Sequence, residues 1–205
     1  VPFGGVTAST IDDTDLMRAH AYALLARTLA RPPSELLLTT LGGLEGDGTP
    51  LGEAFSALAA AARATDEAAA GAEYHALFIG VVQGELVPYA SYYRTGLLHD
   101  RPLAELRADL EALGIERAPD VAEPEDHIAA LCETMAALAD GTLGPPDLRL
   151  QHILFRRHLA PWAGRFFADL ETARSASLYR PVGTIGRLFL SIETDCFAML
   201  EDSGS

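Results

Sequence analysis

At 205 residues the chain has room for one domain of ordinary size and not for two comfortable ones. An apolar share of 49% suits a packed protein and argues against disorder, while 29 acids against 15 bases leave a formal charge of −14. Such a surface repels phosphate backbones, so nucleic acid is not an expected partner and a cationic one is favoured. Every base is arginine, since Lys and Asn are both absent, which reads as codon bias rather than chemistry.

The predicted elements follow in chain order. Leu16, Met17, Ala21, Leu24, Leu25 and Thr28 recur near helical spacing from Asp15 to Leu29, with Asp12, Asp13 and Asp15 at the positive end and Arg31-Pro32-Pro33 as the stop. A short helix restarts at Pro33-Ser34 and runs through Leu41, and Gly42 to Gly48 is a loop. Helices are expected from Leu51 to Ala62 and from Glu67 to Phe78. Gly80 to Pro88 breaks the pattern. The tyrosine-rich stretch from Pro88 to Tyr93 leads into a helix that Arg101-Pro102 reinitiates and Gly114 ends.

A connection from Ile115 to Glu123 precedes a helix in which Pro124 takes a first-turn position, where its missing N–H costs nothing. Ile128, Leu131, Cys132, Met135 and Leu138 make its apolar face, ending near Gly141. Asp147 to His158, Pro161 to Arg174 and Pro181 to Leu200 complete the helices. No stretch alternates as a half-buried strand does. The expectation is an all-α single domain over residues 1–205, with a hinge near 141–146 that permits helix exchange between subunits.

Cys132 and Cys196 each fall in an apolar helical pattern, where a free cysteine acts as a small buried hydrophobe, and no disulfide scaffold is expected. No run of about 18 uncharged apolar residues occurs, and Val1 to Ser9 has neither a basic start nor an apolar block. No membrane span or signal peptide is expected, and the cytoplasm is the expected location. His127 is followed four later by Leu131 and His152 by Arg156, with no Cys-x-x-Cys or His-Glu-x-x-His, so no metal is expected. A chain without Lys has no Walker loop, and no nucleophile–base pattern is recognisable.

Four motifs stand out. In the first, Glu123-Pro124-Glu125-Asp126-His127-Ile128, the residues alone allow an ordinary helix start, with Glu123 as cap and Glu125 and Asp126 complementing the dipole. On such a helix Asp126 and His127 diverge by about 100°, whereas Glu123 and His127 can meet. The second is Tyr74-x-x-Leu77-Phe78-x-Gly80, which has core spacing. The third, Pro88-Tyr89-x-Ser91-x-Tyr93, carries enough rings for a loop pinned on a helix or on a ligand. The fourth is His158-Leu159-x-Pro161-Trp162, with Trp162 in a helix first turn bracing its neighbours.

Taken in order, these motifs resemble the TorD/DmsD/NarJ chaperones of molybdoenzyme maturation, over residues 15 to 200. The resemblance implies a TorD-like bundle of about nine to eleven helices. It also implies a groove that receives a twin-arginine signal peptide, formed by Leu77, Phe78, Pro88, Tyr89, Ser91, Tyr92, Glu123, Pro124, Asp126 and His127. Asp126 and Glu123 would accept guanidinium, His127 would orient the site or meet peptide backbone, and the rings would form an apolar wall. His158 and Trp162 would be structural. The chain would bind without turnover, with no catalytic residue, metal or cofactor of its own.

The implied partners are the twin-arginine leader and the body of a molybdopterin oxidoreductase subunit, held by a monomer or a helix-exchanged dimer until cofactor insertion is complete. One departure from the family is Val81-Val82-Gln83-Gly84, where many members carry a Pro soon after the Gly80 position. Two alternatives stay open. One is a NarJ-like chaperone whose client is not exported, and the other a helical small-ligand enzyme or sensor using the Asp126/His127 region.

Overall fold

The computed structural model describes residues 12–115 and 123–203. Over that span the chain is all-α, with ten α-helices and two π-helical turns and no strand among the described residues. The expected segment from Val1 to Ser9 and nearly all of the connection from Ile115 to Glu123 lie outside the described residues.

Local capping chemistry sets most helix starts. Asp12, Ser34, Thr49 and Asp66 each accept a backbone N–H three residues on, opening α1 (Asp13–Leu29), α2 (Glu35–Gly42), α3 (Pro50–Arg63) and α4 (Glu67–Tyr74). Asp147 does the same for α8 (Leu148–Leu154). Between them come α5 (Ala90–Thr95), α6 (Arg101–Ala112) and α7 (Ile128–Ala139), and after them α9 (Ala163–Thr172) and α10 (Tyr179–Ser203).

Several boundaries differ from the periodicity reading. The helix expected through Phe78 stays α only to Tyr74 and then widens into a π turn, His75–Ile79, in which Gly80 N donates to His75 O at 2.7 Å. A second π turn, Phe155–Leu159, follows α8. Both carry motif residues, in keeping with the frequent placing of π turns at functional sites. The Pro88–Tyr93 stretch is itself partly helical, as α5.

Pro124 is not in a helix. Glu123 to Asp126 form a turn, and α7 begins only at Ile128 because His127 is its N-cap, Nδ1 accepting Ala129 N at 3.1 Å. Trp162 likewise stands at the N-cap of α9 with φ −147° rather than in its first turn. Cys132 is buried as expected, but Cys196 is exposed on α10, because the inward face there belongs to Glu193 and Phe197.

The core runs from Tyr22 on α1 to Phe197 on α10. Helix α7 packs along α1, and α10 lies against α9 and α3. Small residues bring α9 and α10 close. A Cβ on Gly186 would come within 2.2 Å of the Phe167 ring, and one on Gly183 within 2.6 Å of Glu171 N.

A polar clasp crosses this core. Arg18 on α1 holds Glu193 on α10 through Nε at 2.7 Å and Nη2 at 2.8 Å, and its Nη1 reaches Gln151 Oε1 on α8 at 2.7 Å. Tyr22 donates its hydroxyl to Glu193 at 2.8 Å, and Gln151 donates to Leu138 O at 3.3 Å. Burial opposes the Arg18 charge, yet the Glu193 hydrogen bond and charge prevail and raise its pKa.

Candidate functional site

The site begins where the starts of α5 and α7 meet. Tyr89 and His127 form an isolated antiparallel bridge, with Ala90 N donating to Asp126 O at 3.0 Å and Ile128 N to Pro88 O at 2.9 Å. Each helix start then lacks acceptors for its first amides, and the motif supplies them. Tyr89 offers no side-chain cap to α5, so the Asp126 carboxylate accepts Ser91 N at 2.8 Å in its place. His127 caps α7 itself.

The three acids of the motif have three separate fates. Asp126 is 0% exposed. Its Oδ1 and the Ser91 Oγ beside it are buried without a protein partner. The resemblance implied an Asp126 carboxylate that accepts guanidinium; the structure places that carboxylate inside the α5–α7 junction, with Ser91 N on Oδ2. Glu125 is engaged by Arg107, whose Nε and Nη2 lie 3.0 and 2.8 Å from Oε2. Glu123 is exposed and accepts the Tyr89 hydroxyl. Among the described residues no arginine pairs with Glu123.

His127 is buried, and its pKa falls to about 4 because burial penalises the imidazolium more than the Glu123 and Asp126 charges favour it. The ring is thus neutral near pH 7. Because Nδ1 accepts the Ala129 amide, the ring proton sits on Nε2. Tyr89 packs edge-on against it with centroids 5.0 Å apart. Burial first, then the Glu123 hydrogen bond, raises the Tyr89 pKa. Asp126 and His127 share no hydrogen bond, so the sequence neighbours are not an acid–base dyad.

The expected apolar wall is divided. Leu77 is fully buried in the core and Pro88 is buried, so neither presents a face to solvent. Phe78 is half-buried among Tyr74, Tyr179 and Phe166, at centroid distances of 5.0, 5.3 and 6.5 Å. Tyr92 is exposed, Ser91 is buried and Pro124 is intermediate. Ile79, Val81 and Val82, which precede Tyr89 in the chain, are exposed.

His158 and Trp162 sit in the interior. Trp162 Nε1 donates to His158 O at 2.6 Å, and His158 Nε2 lies 2.6 Å from Asp109 Oδ2 on α6. Burial lowers the His158 pKa against the opposing pull of Asp109.

Sequence reasoning missed two further acids. Glu73 on α4 accepts Ser177, Leu178 and Tyr179 amides at 2.7, 3.1 and 2.8 Å, capping α10 from another element. Glu85 accepts Arg174 N at 2.7 Å and Ser175 N at 3.1 Å. Their partners lie about a hundred positions on, where no local pattern points. A separate open cleft of about 730 Å³ between α2 and the α3–α4 corner, lined by Leu38, Arg63 and Glu67 among others, shares no residue with the motif site. Among the described residues no group of three or more His, Cys, Asp or Glu is placed to hold a metal, and no helix is long and apolar enough to cross a membrane.

Comparison with known proteins gives this geometry a context. A TorD chaperone of Vibrio cholerae is 26% identical over 133 residues, 61% of this chain and 60% of that protein. The chain thus spans about 60% of the length of these curated relatives. A TorD chaperone of Photobacterium profundum is 35% identical over 69 residues, 33% of this chain and 32% of that one. These relatives are named as chaperones, not as enzymes. A redox enzyme maturation protein from Archaeoglobus fulgidus shares the fold with a TM-score of 0.56 at 20% identity, covering 93% of this chain and 98% of that one. The model of the nitrate reductase delta subunit family matches residues 44–168, which take in the Tyr89–His127 junction and the His158-Trp162 bracket alike. The chain belongs to that family, the TorD/NarJ family.

Proposed function

We propose that this chain is a cytoplasmic chaperone that binds the twin-arginine leader of a molybdopterin oxidoreductase subunit and supports cofactor insertion and folding before export. The observation that carries the reading is the exposed Glu123 carboxylate on the Tyr89 hydroxyl, with exposed Tyr92 three positions beyond Tyr89 and exposed valines before it. Twin-arginine leaders pair guanidinium groups with an apolar stretch. A carboxylate takes the planar guanidinium fork through charge-assisted bonds, and exposed apolar side chains gain about 25 cal/mol per Å² removed from water.

Asp126 and His127 would serve that surface by holding the α5–α7 junction that aims Tyr89. Glu123, not Asp126, would meet the arginines. The strongly acidic surface would draw in a basic leader end. The working form would be a monomer or a dimer exchanged through residues 141–146.

Calorimetric titration with the leader of a co-encoded molybdoenzyme tests the reading, beside an Arg-pair-to-Gln peptide, at low and moderate salt. Saturable one-to-one binding that weakens with the control and with salt supports it. No heat and no competition under any condition refute it. The nitrate reductase delta subunit match favours a second reading, in which the client subunit has a leader-like end but is not exported. Binding to a client N-terminus that lacks the Arg pair distinguishes the two.

A further inference from the structure

The loop that leads into Tyr89 is anchored on both sides and still turns apolar side chains to water. Gly80 reverses the chain at φ 64°, where a Cβ would meet Gln83 O at 2.1 Å. On the return, Glu85 N donates to Ala76 O at 3.1 Å and Leu86 N to Leu77 O at 2.8 Å. The Glu85 carboxylate then bridges to the α9–α10 connection through its two bonds to the Arg174 and Ser175 amides. The Arg174 amide first, then the Ser175 donors, hold its pKa below the ordinary carboxylate range.

At the tip, Val81 and Val82 are 100% and 98% exposed, with Ile79 at 52%. A turn that only reversed the chain would be served by polar residues. Apolar side chains held out on a fixed turn instead reduce the ordering cost of a contact made there. An apolar peptide suits the tip better than a cationic one, because the tip residues from Gly80 to Gly84 carry no acid.

Resting on the leader-binding reading above, we propose that Glu85 is a positioning residue. Through its bonds to the α9–α10 connection it holds Val81 and Val82 out as a preformed contact for the apolar stretch of the leader. The Val-Val tip would then set which leaders are preferred.

The test is a double-mutant cycle on the full chain, titrated with the same synthetic leader peptide. Glu85→Ala and the pair Val81→Ser/Val82→Ser should each weaken binding about five- to tenfold, and the triple variant no further. The Arg174 and Ser175 amides should exchange about tenfold faster in Glu85→Ala. The valine variant should keep its Tm, since both side chains are in water. Should Glu85→Ala not fold, Glu85→Gln, which keeps one acceptor, takes its place in the cycle. Additive effects, or unchanged affinity in a variant whose wild type binds, overturn the positioning role and leave the leader reading intact. A wild type that binds no leader overturns both.

Discussion

The clasp between α1 and α10 offers the sharpest test of the packing argument. Glu193→Ala removes a carboxylate that is 1% exposed and that receives two bonds from Arg18 and one from Tyr22. The Arg18 side chain is itself only 11% exposed, so water cannot fully replace the lost partner. Breaking a buried pair from one side costs about 3–5 kcal/mol, because the Arg18 charge loses its two-bond partner and keeps only Asp15 Oδ1 at 3.0 Å and the neutral Gln151 Oε1 at 2.7 Å. For a chain of this size about 1 kcal/mol moves Tm by roughly 2–4 °C, so the melting point should fall by roughly 6–20 °C.

Differential scanning calorimetry with far-UV circular dichroism makes the measurement. The companion variant Arg18→Met/Glu193→Leu removes both charges and fills much of the space, and should recover most of the loss. A Tm within about 2 °C of wild type for Glu193→Ala would refute the reasoning, since the clasp would then contribute no more than a surface pair. A double variant as unstable as the single would show that Gln151 and Tyr22, not the charge, carry the cost.

Other expectations are equally direct. Asp126→Ala should lower stability by about 1–3 kcal/mol in urea titrations, whereas Asp126→Asn, which keeps an acceptor for Ser91 N, should lose less; equal losses would contradict the capping role. Glu123→Gln should weaken a twin-arginine leader about three- to tenfold and flatten its salt dependence at unchanged Tm, read by calorimetry. Because the His127 pKa is depressed to about 4, its contribution is full above the unfolded value near 6.5. That contribution is lost as pH falls from there to about 4, worth about 3 kcal/mol in all. His127→Asn keeps a cap but not the titration, so the slope of unfolding free energy against pH between 6.5 and 4 should shrink, and an unchanged slope would remove His127 as its source. His158, also depressed by burial, should leave a residual slope of the same sign.

Much of the fold was legible in the chain because helix starts and periodicity are local. Asp12, Ser34, Thr49, Asp66 and Asp147 each act on amides within three residues, a strictly local relation. The face of Ile128, Leu131, Cys132, Met135 and Leu138 follows from the 3.6-residue repeat, and all five are buried. The motifs also name both partners of the α5–α7 junction, where Tyr89 meets His127. What they left undetermined was the fate of each acid. Asp126, Glu125 and Glu123 look alike in sequence, yet one is buried under α5, one is taken by Arg107, and one stays exposed on Tyr89.

The same holds for Pro124, which local rules put in a first helical turn. A turn closed by His127 N on Pro124 O, with the bridge from His127 to Tyr89, delays the helix to Ile128, and these hydrogen bonds outweigh a weak positional preference. Glu73, Glu85, Arg18 and Glu193 find their partners on elements far along the chain. A charge's role depends on burial and on which donors packing brings within about 3 Å, and neither quantity is a property of neighbouring residues. Sequence by itself determined where most helices lie and which face of each is apolar; only the packed structure decided which carboxylates hold the protein together and which of the motif's three acids stands at its surface.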